Sequence, residues 1–206
     1  MPLVELDLDV DSSSIPHDVA AFIDEAKRRI DEFFSGGSFQ STGFVPSDFE
    51  TVYLALREIV NQGRHCGESL CEWGSGFGTV ACLASMLGFE STGIEIDSEL
   101  VEISRELAEE FAAPVDFMHG SFVRREDEHL VDEGWSNADQ GPFFMHSEGA
   151  ATEPGFNPGD FDVIFAYPWP GEANTIDLLF EAAAPVGTLL LTYNGDQTVR
   201  LKRQVS

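Results

Sequence analysis

The tightest constraint on this chain is the run Cys71-Glu72-Trp73-Gly74-Ser75-Gly76-Phe77-Gly78, which follows a short apolar segment. Alternating glycines let the backbone turn sharply out of a strand and into a helix, through conformations that a β-carbon disfavours. They also let a ligand lie against the main chain, facing the first amides of the helix expected over about Thr79 to Leu87. About twenty residues further on, Ser91-Thr92-Gly93-Ile94-Glu95-Ile96-Asp97 reads as a short strand ending in acids. A carboxylate there can accept both hydroxyls of a ribose. A glycine turn followed by a ribose acid predicts a nucleoside-containing cofactor on a doubly wound α/β sheet.

The glycine spacing narrows the cofactor. A dinucleotide fingerprint reads Gly-x-Gly-x-x-Gly, but the sixth position is Thr79 when counted from Gly74 and Ala81 when counted from Gly76. Glu72, inside the strand end, would repel a pyrophosphate and suits a cationic ligand. A nicotinamide-dependent oxidoreductase is therefore disfavoured. These residues resemble the first two motifs of the class I S-adenosylmethionine-dependent methyltransferases: acid-x-Gly-x-Gly-x-Gly, then an acid ending the second strand. The resemblance implies S-adenosyl-L-methionine as cofactor, with Glu72 near its amino group through water. It places Gly74, Ser75, Gly76 and Gly78 beneath the cofactor, Glu95 on the ribose diol and Ile96 beside the adenine. Where that family often has Gly-Asp after the third strand, this chain has Gly120-Ser121-Phe122. The implied roles are a Ser121 hydroxyl on the adenine amino group and Phe122 over the ring. Ser121 reads equally as an ordinary turn residue.

A later strand ends in Ala166-Tyr167-Pro168-Trp169-Pro170-Gly171-Glu172. In the family resembled, this loop faces the donated methyl group, and amino-methylating members often carry Asn or Asp, Pro, Pro and an aromatic. The prolines and the aromatic are present here; the amide or acid at the first position is not. Tyr167, Trp169 and Glu172 are the candidate catalytic residues. The rings can stack on a flat or cationic acceptor, and Tyr167 or Glu172 can orient an amine or take its proton. The competing reading is a rigid turn, its φ angles set by proline, around a core Trp. Phe44-Val45-Pro46-Ser47 is similar to a segment that borders the methionine end of the cofactor in some lysine methyltransferases. Ser47 also reads as a helix cap, with Glu50 completing a capping box.

The remaining pattern fits one α/β domain, with 1–46 as an N-terminal arm and helix and 47–206 as the methyltransferase-like part. Residues 3–10 alternate as an edge strand or acidic arm. Val19, Phe22, Ile23, Ala26, Ile30, Phe33 and Phe34 line one face of a helix. Strands are expected over 68–73, 91–96, 115–119, 161–166 and 187–193, in the sheet order 3-2-1-4-5. Asn194-Gly195 then signals a hairpin into an antiparallel strand over 198–205. The family resembled usually inserts a helix and strand before its antiparallel strand, so the sheet is read as shortened at the C-terminus. Residues 121–160 form a long connector rich in Gly, Pro and acids, with a helix possible at 126–133.

Composition excludes some partners. The chain has 37 acids against 11 Lys plus Arg, a net charge of −26, which repels phosphate backbones and disfavours nucleic acid. Salt adaptation or a basic protein partner are the two readings of this acidity. Basic clusters at 27–29, 124–125 and 200–203 read as solvated faces or local anion sites. The opening residues lack a basic region and an apolar run, and no stretch reaches the roughly 18–20 apolar residues of a spanning helix. Cys66, Cys71 and Cys82 form no zinc pattern with His65, so no metal is expected, and a reducing cytoplasm is expected. The function expected is a methyltransferase acting on a small molecule or a protein side chain. The alternative is a non-catalytic binding or acidic interaction module.

Overall fold

The computed structural model describes residues 2–10, 14–36, 44–135 and 156–206. Among them, seven strands form one sheet: β1 (Leu3–Leu6), β2 (Ser69–Trp73), β3 (Glu90–Glu95), β4 (Val115–His119), β5 (Val163–Ala166), β6 (Leu189–Tyr193) and β7 (Val199–Gln204). The helices are α1 (His17–Ser35), α2 (Phe49–Asn61), α3 (Thr79–Met86), α4 (Ser98–Glu110), α5 (Glu128–Trp135) and α6 (Ala173–Ala183). The spatial order is β1-β7-β6-β5-β2-β3-β4. Strands β2 to β6 pair in parallel, and β7 runs antiparallel beside β6. This is the expected order of five parallel strands followed by a hairpin strand.

The N-terminal segment adds one strand to that order. β1 pairs antiparallel with β7 from Leu3↔Gln204 to Leu6↔Leu201, so it runs in the same direction as β6. It widens the sheet on the side where the resemblance implies an additional helix and strand.

Side-chain alternation along the strands separates two faces. Helices α1 to α4 cover one face, where Phe22, Ile23, Leu56, Ile59, Leu83, Leu100, Leu107 and Phe165 are buried together. Helices α5 and α6 cover the other, with Trp73, Ile94, Val131, Ala166, Ile176 and Phe180. The apolar stripe of α1 is buried through Val19, Phe22, Ile23, Ala26 and Ile30. Phe22 meets Phe111 edge-on at 5.1 Å. Burying each such side chain contributes about 1.5–3 kcal/mol.

Two local expectations change. The cap of α2 is Asp48 rather than Ser47: its carboxylate accepts from the backbone N–H of Glu50 at 3.1 Å and Thr51 at 3.2 Å. A charged acceptor that reaches two orphan amides starts the helix one residue later. The β6–β7 hairpin uses residues 194–198 rather than a two-residue Asn-Gly turn. Gln197 carries the positive φ of 62° and its N–H donates to Asn194 O at 2.8 Å. Asp196 fixes the return by accepting from the Thr198 N–H and hydroxyl.

The connector is partly helical. A single 3₁₀ turn, Arg125–Asp127, leads into α5, which packs against α6. Gly134 makes that approach possible, because a β-carbon there would collide with Thr175. Residues 136–155, including Phe143 and Phe144, lie outside the described residues. The three basic clusters carry ion pairs: Lys27 with Glu50, Arg28 and Arg29 with Glu25, Arg124 with Asp127, and Lys202 with Asp177. Cys71 and Cys82 are buried, and burial pushes the Cys82 thiol up to about 12. Thiols held protonated in this way are unreactive.

Candidate functional site

A cavity of about 650 Å³ opens where β2, β3, β4 and β5 end. Its size is within the roughly 300–1,000 Å³ of small-molecule sites. Parallel strands bring their C-terminal ends to one edge, so residues distant in sequence meet there. Of the candidates, Glu72, Gly74, Ser75, Glu95, Ile96, Ser121, Phe122, Tyr167, Trp169 and Glu172 line this cavity. Gly76 and Gly78 lie behind the lining.

The glycine turn explains that division. Gly74, Gly76 and Gly78 have φ of 67°, 52° and 69°, left-handed values that cost other residues about 1–2 kcal/mol. Only Gly74 faces open space: nothing lies within 4 Å of where its β-carbon would be. At Gly76 that position is taken by the Phe44 ring, and at Gly78 by Phe117 and Ser104. The first glycine therefore leaves room for a ligand, while the other two let side chains close over the turn. Phe44 is fixed by Phe77, with ring centroids 4.9 Å apart. The Phe44–Ser47 segment thereby borders the cavity through Phe44, Val45 and Ser47.

Glu72 and Glu95 end neighbouring strands and face the α1–α4 side. Glu72 Oε2 accepts from the Ala81 N–H at 2.8 Å, which ties the strand end to the first turn of α3. Glu95 Oε2 accepts from the Gly76 N–H at 2.8 Å, and Oε1 accepts from the Asp97 N–H at 2.9 Å. Both side chains are buried. Desolvation pushes both carboxyls above the ordinary glutamate range, and the nearby Glu95 charge raises Glu72 further. Backbone hydrogen bonds oppose the rise without cancelling it.

Ser121 is buried, and its hydroxyl accepts from the Val123 N–H at 3.1 Å. The hydroxyl hydrogen is not used by that bond. Phe122 stacks on Trp73, with centroids 5.0 Å apart and planes 8° from parallel. Ile96 is 41% exposed at the cavity rim. Tyr167 meets Tyr193 edge-on at 5.0 Å. Glu172 is only 3% exposed. Its Oε2 accepts from the Trp169 N–H at 3.2 Å, and burial raises its carboxyl above the usual range.

Among the described residues, four buried polar atoms on the cavity lining have no hydrogen-bond partner: Trp73 Nε1, Ser75 Oγ, Thr79 Oγ1 and Glu172 Oε1. Unpaired buried groups are costly, so this cluster fits a polar ligand. Sequence reading singled out Ser75 and Glu172 but missed Trp73 and Thr79. The signal for Trp73 was its place beside Glu72, since period two puts it on the opposite face at the same strand end. Thr79, the first helical residue after the turn, was legible by position. The cavity fits a cationic nucleoside of the expected kind. Gly74 leaves a cradle, and among the described residues two lining hydroxyls stand unpaired and two desolvated carboxylates lack a positive partner. Among the described residues, no Lys, Arg or His lines the cavity, and no group of His, Cys, Asp and Glu could hold a metal.

No family model and no curated protein matches the sequence. Solved structures do. An RNA methyltransferase from Salinibacter ruber, in complex with S-adenosyl-L-homocysteine, superposes with a TM-score of 0.52 at 17% identity, covering 78% of this chain and 92% of that one. A methyltransferase from Geobacter sulfurreducens superposes with a TM-score of 0.50 at 14% identity, covering 94% and 92%. With its parallel sheet, glycine turn and strand-end acids, the chain has the fold of the class I S-adenosylmethionine-dependent methyltransferases.

Proposed function

We propose that this chain binds S-adenosyl-L-methionine and transfers its methyl group to a small molecule or a protein side chain. The observation that carries the reading is the convergence of Glu72 and Glu95, both desolvated, on one cavity beside the open left-handed turn at Gly74. Glu72 would serve the methionine ammonium, Gly74 and Ser75 the methionine chain, and Glu95 the ribose diol. Ile96, Ser121 and Phe122 would serve the adenine. Bound there, the cofactor supplies an electrophilic methyl group on a sulfonium.

The chain's own part is placement and field. A carboxylate close to the sulfonium would stabilise a charge that disappears in the transition state. Carboxylates on the ammonium and the ribose bind the same molecule without that cost. The buried walls hold donor and acceptor in line and exclude water. Tyr167, Trp169 and Glu172 form the acceptor side, on a loop stiffened by Pro168 and Pro170. An acidic surface and a cavity that, among the described residues, carries no cationic side chain favour acceptors other than nucleic acid. No helix of the described residues is long and apolar enough to cross a membrane.

The test is incubation of the protein with S-adenosylmethionine labelled in the methyl group and a lysate split into protein, nucleic-acid and small-molecule fractions. Label in the protein or small-molecule fraction is expected. Cofactor binding with no incorporation anywhere would instead favour a non-catalytic binding module.

A further inference from the structure

The cavity has a second wall, on the α5–α6 face, that the cofactor assignments leave unused. It is formed by Trp73, Val123, Ile176 and Glu172, apart from the face that carries Glu72 and Glu95. On it stand Glu172 Oε1, an acceptor, and Trp73 Nε1, a donor, both buried and, among the described residues, without partner. The rest of the wall is apolar or aromatic. Glu172 is held in place by two features: the Trp169 N–H on Oε2 at 3.2 Å, and its position at the start of α6. Its second oxygen is thereby held in one place, buried and, among the described residues, unpartnered, on a residue that lines the cavity.

Resting on the methyl-transfer reading, we infer that the acceptor is a primary amine on a flat or aliphatic stem, engaged as its ammonium by Glu172 Oε1. Three features of charge and chemistry select this class. An anionic acceptor would enter a cavity that holds three carboxylates and, among the described residues, no Lys, Arg or His. A hydroxyl acceptor is far less acidic than an ammonium and carries no positive charge for a carboxylate to attract, so Glu172 alone activates it poorly. Among the described residues, the lining offers neither imidazole nor metal-binding group. An amine needs only to shed one proton to expose its lone pair, and a desolvated carboxylate both attracts the ammonium and takes that proton. Burial raises the Glu172 carboxyl, which brings its basicity closer to that of an ammonium.

The balance is simple. The ammonium R–NH3⁺ gives one proton to Glu172 Oε1. The freed nitrogen lone pair then forms the N–C bond as the methyl–sulfur bond breaks, and that electron pair leaves with sulfur. The methylated ammonium departs, and Glu172 returns its proton to solvent. The aromatic side chains Tyr167 and Trp169, which also line the cavity, favour a cationic head over a neutral one.

The test uses the full chain with S-adenosylhomocysteine bound and measures binding rather than turnover. The probes are benzylamine, tryptamine and hexylamine, with benzyl alcohol, hexanol and benzoate as matched controls. The amines are expected to bind at least about tenfold more tightly than the controls, by calorimetry or ligand-observed NMR. Glu172→Gln is expected to abolish that preference while S-adenosylhomocysteine affinity stays within about twofold. Equal or better binding of alcohol or carboxylate, retained amine preference in Glu172→Gln, or no binding by any amine would overturn the inference. If Glu172→Gln fails to fold, the amine-against-alcohol comparison on the unsubstituted chain decides alone. Failure of S-adenosylhomocysteine itself to bind would instead strike the methyl-transfer reading.

Discussion

The carboxylate of Glu95, at the end of one parallel strand, accepts a hydrogen bond from the backbone N–H of Gly76, in the turn after the neighbouring strand, at 2.8 Å. The acid proposed to bind the ribose is thus also the strap that holds the glycine turn in shape. Glu95→Ala leaves the buried Gly76 amide unpaired and at the same time removes the proposed ribose acceptor. The expected result is a loss of about 1–3 kcal/mol in S-adenosylmethionine binding, and a comparable loss in folding stability. Parallel calorimetry and denaturant unfolding check both; unchanged affinity removes Glu95 from the site.

The glycines separate function from packing. Gly74→Ala meets no neighbouring atom and carries only backbone strain of about 1–2 kcal/mol. It places a methyl group in the cradle, so cofactor affinity should fall at least about tenfold. Gly78→Ala collides with Phe117 and Ser104 and adds overpacking to the same strain, about 2–5 kcal/mol in all. Thermal denaturation should therefore rank Gly78→Ala well below Gly74→Ala. The reverse ranking would contradict the division of the turn.

Glu72 predicts a pH dependence. Its folded carboxyl is raised well above the ordinary value of 4.5, chiefly by burial. A raised carboxyl contributes stability below pH 4.5 that is lost as pH rises through the folded value. Glu72→Gln keeps an oxygen for the Ala81 N–H and carries no charge. The variant should melt above the unsubstituted protein at pH 8, and the difference should shrink as pH falls toward 4.5. A variant less stable at pH 8 would show that the charge is already compensated without ligand.

Salt acts on the whole surface. With 37 acids against 11 Lys plus Arg, repulsion outnumbers attraction, and exposed pairs such as Lys27–Glu50 contribute about 0–1 kcal/mol each. Raising KCl from 0.1 M to 1 M shortens the screening length from about 10 Å to about 3 Å. The melting temperature should rise across that range. A fall would show that ion pairs outweigh the repulsion.

The site was legible where backbone chemistry dictates residue type. Left-handed backbone at 74, 76 and 78 favours glycine, and the acids Glu72 and Glu95 at two strand ends stand out around that turn, so those positions announce themselves. Sequence does not distinguish a glycine open to a ligand from one covered by a side chain, because Phe44, Phe117 and Ser104 reach the turn from other elements. Trp73 stayed hidden because its role depends on which face of β2 meets α5 and α6. The pairing of β1 with β7 was equally out of reach, since strand alternation over Leu3–Leu6 fixes faces and not neighbours. Asp48 displaced Ser47 as cap because two adjacent good caps differ only in which amides each can reach.

Calorimetric titration of the protein with S-adenosylmethionine, with NAD as the control, tests the central claim most directly. Saturable one-to-one binding of S-adenosylmethionine, weakened in Glu95→Ala and Gly74→Ala, with no heat from NAD, is the predicted result. No binding of S-adenosylmethionine, or binding of NAD in its place, would contradict the account.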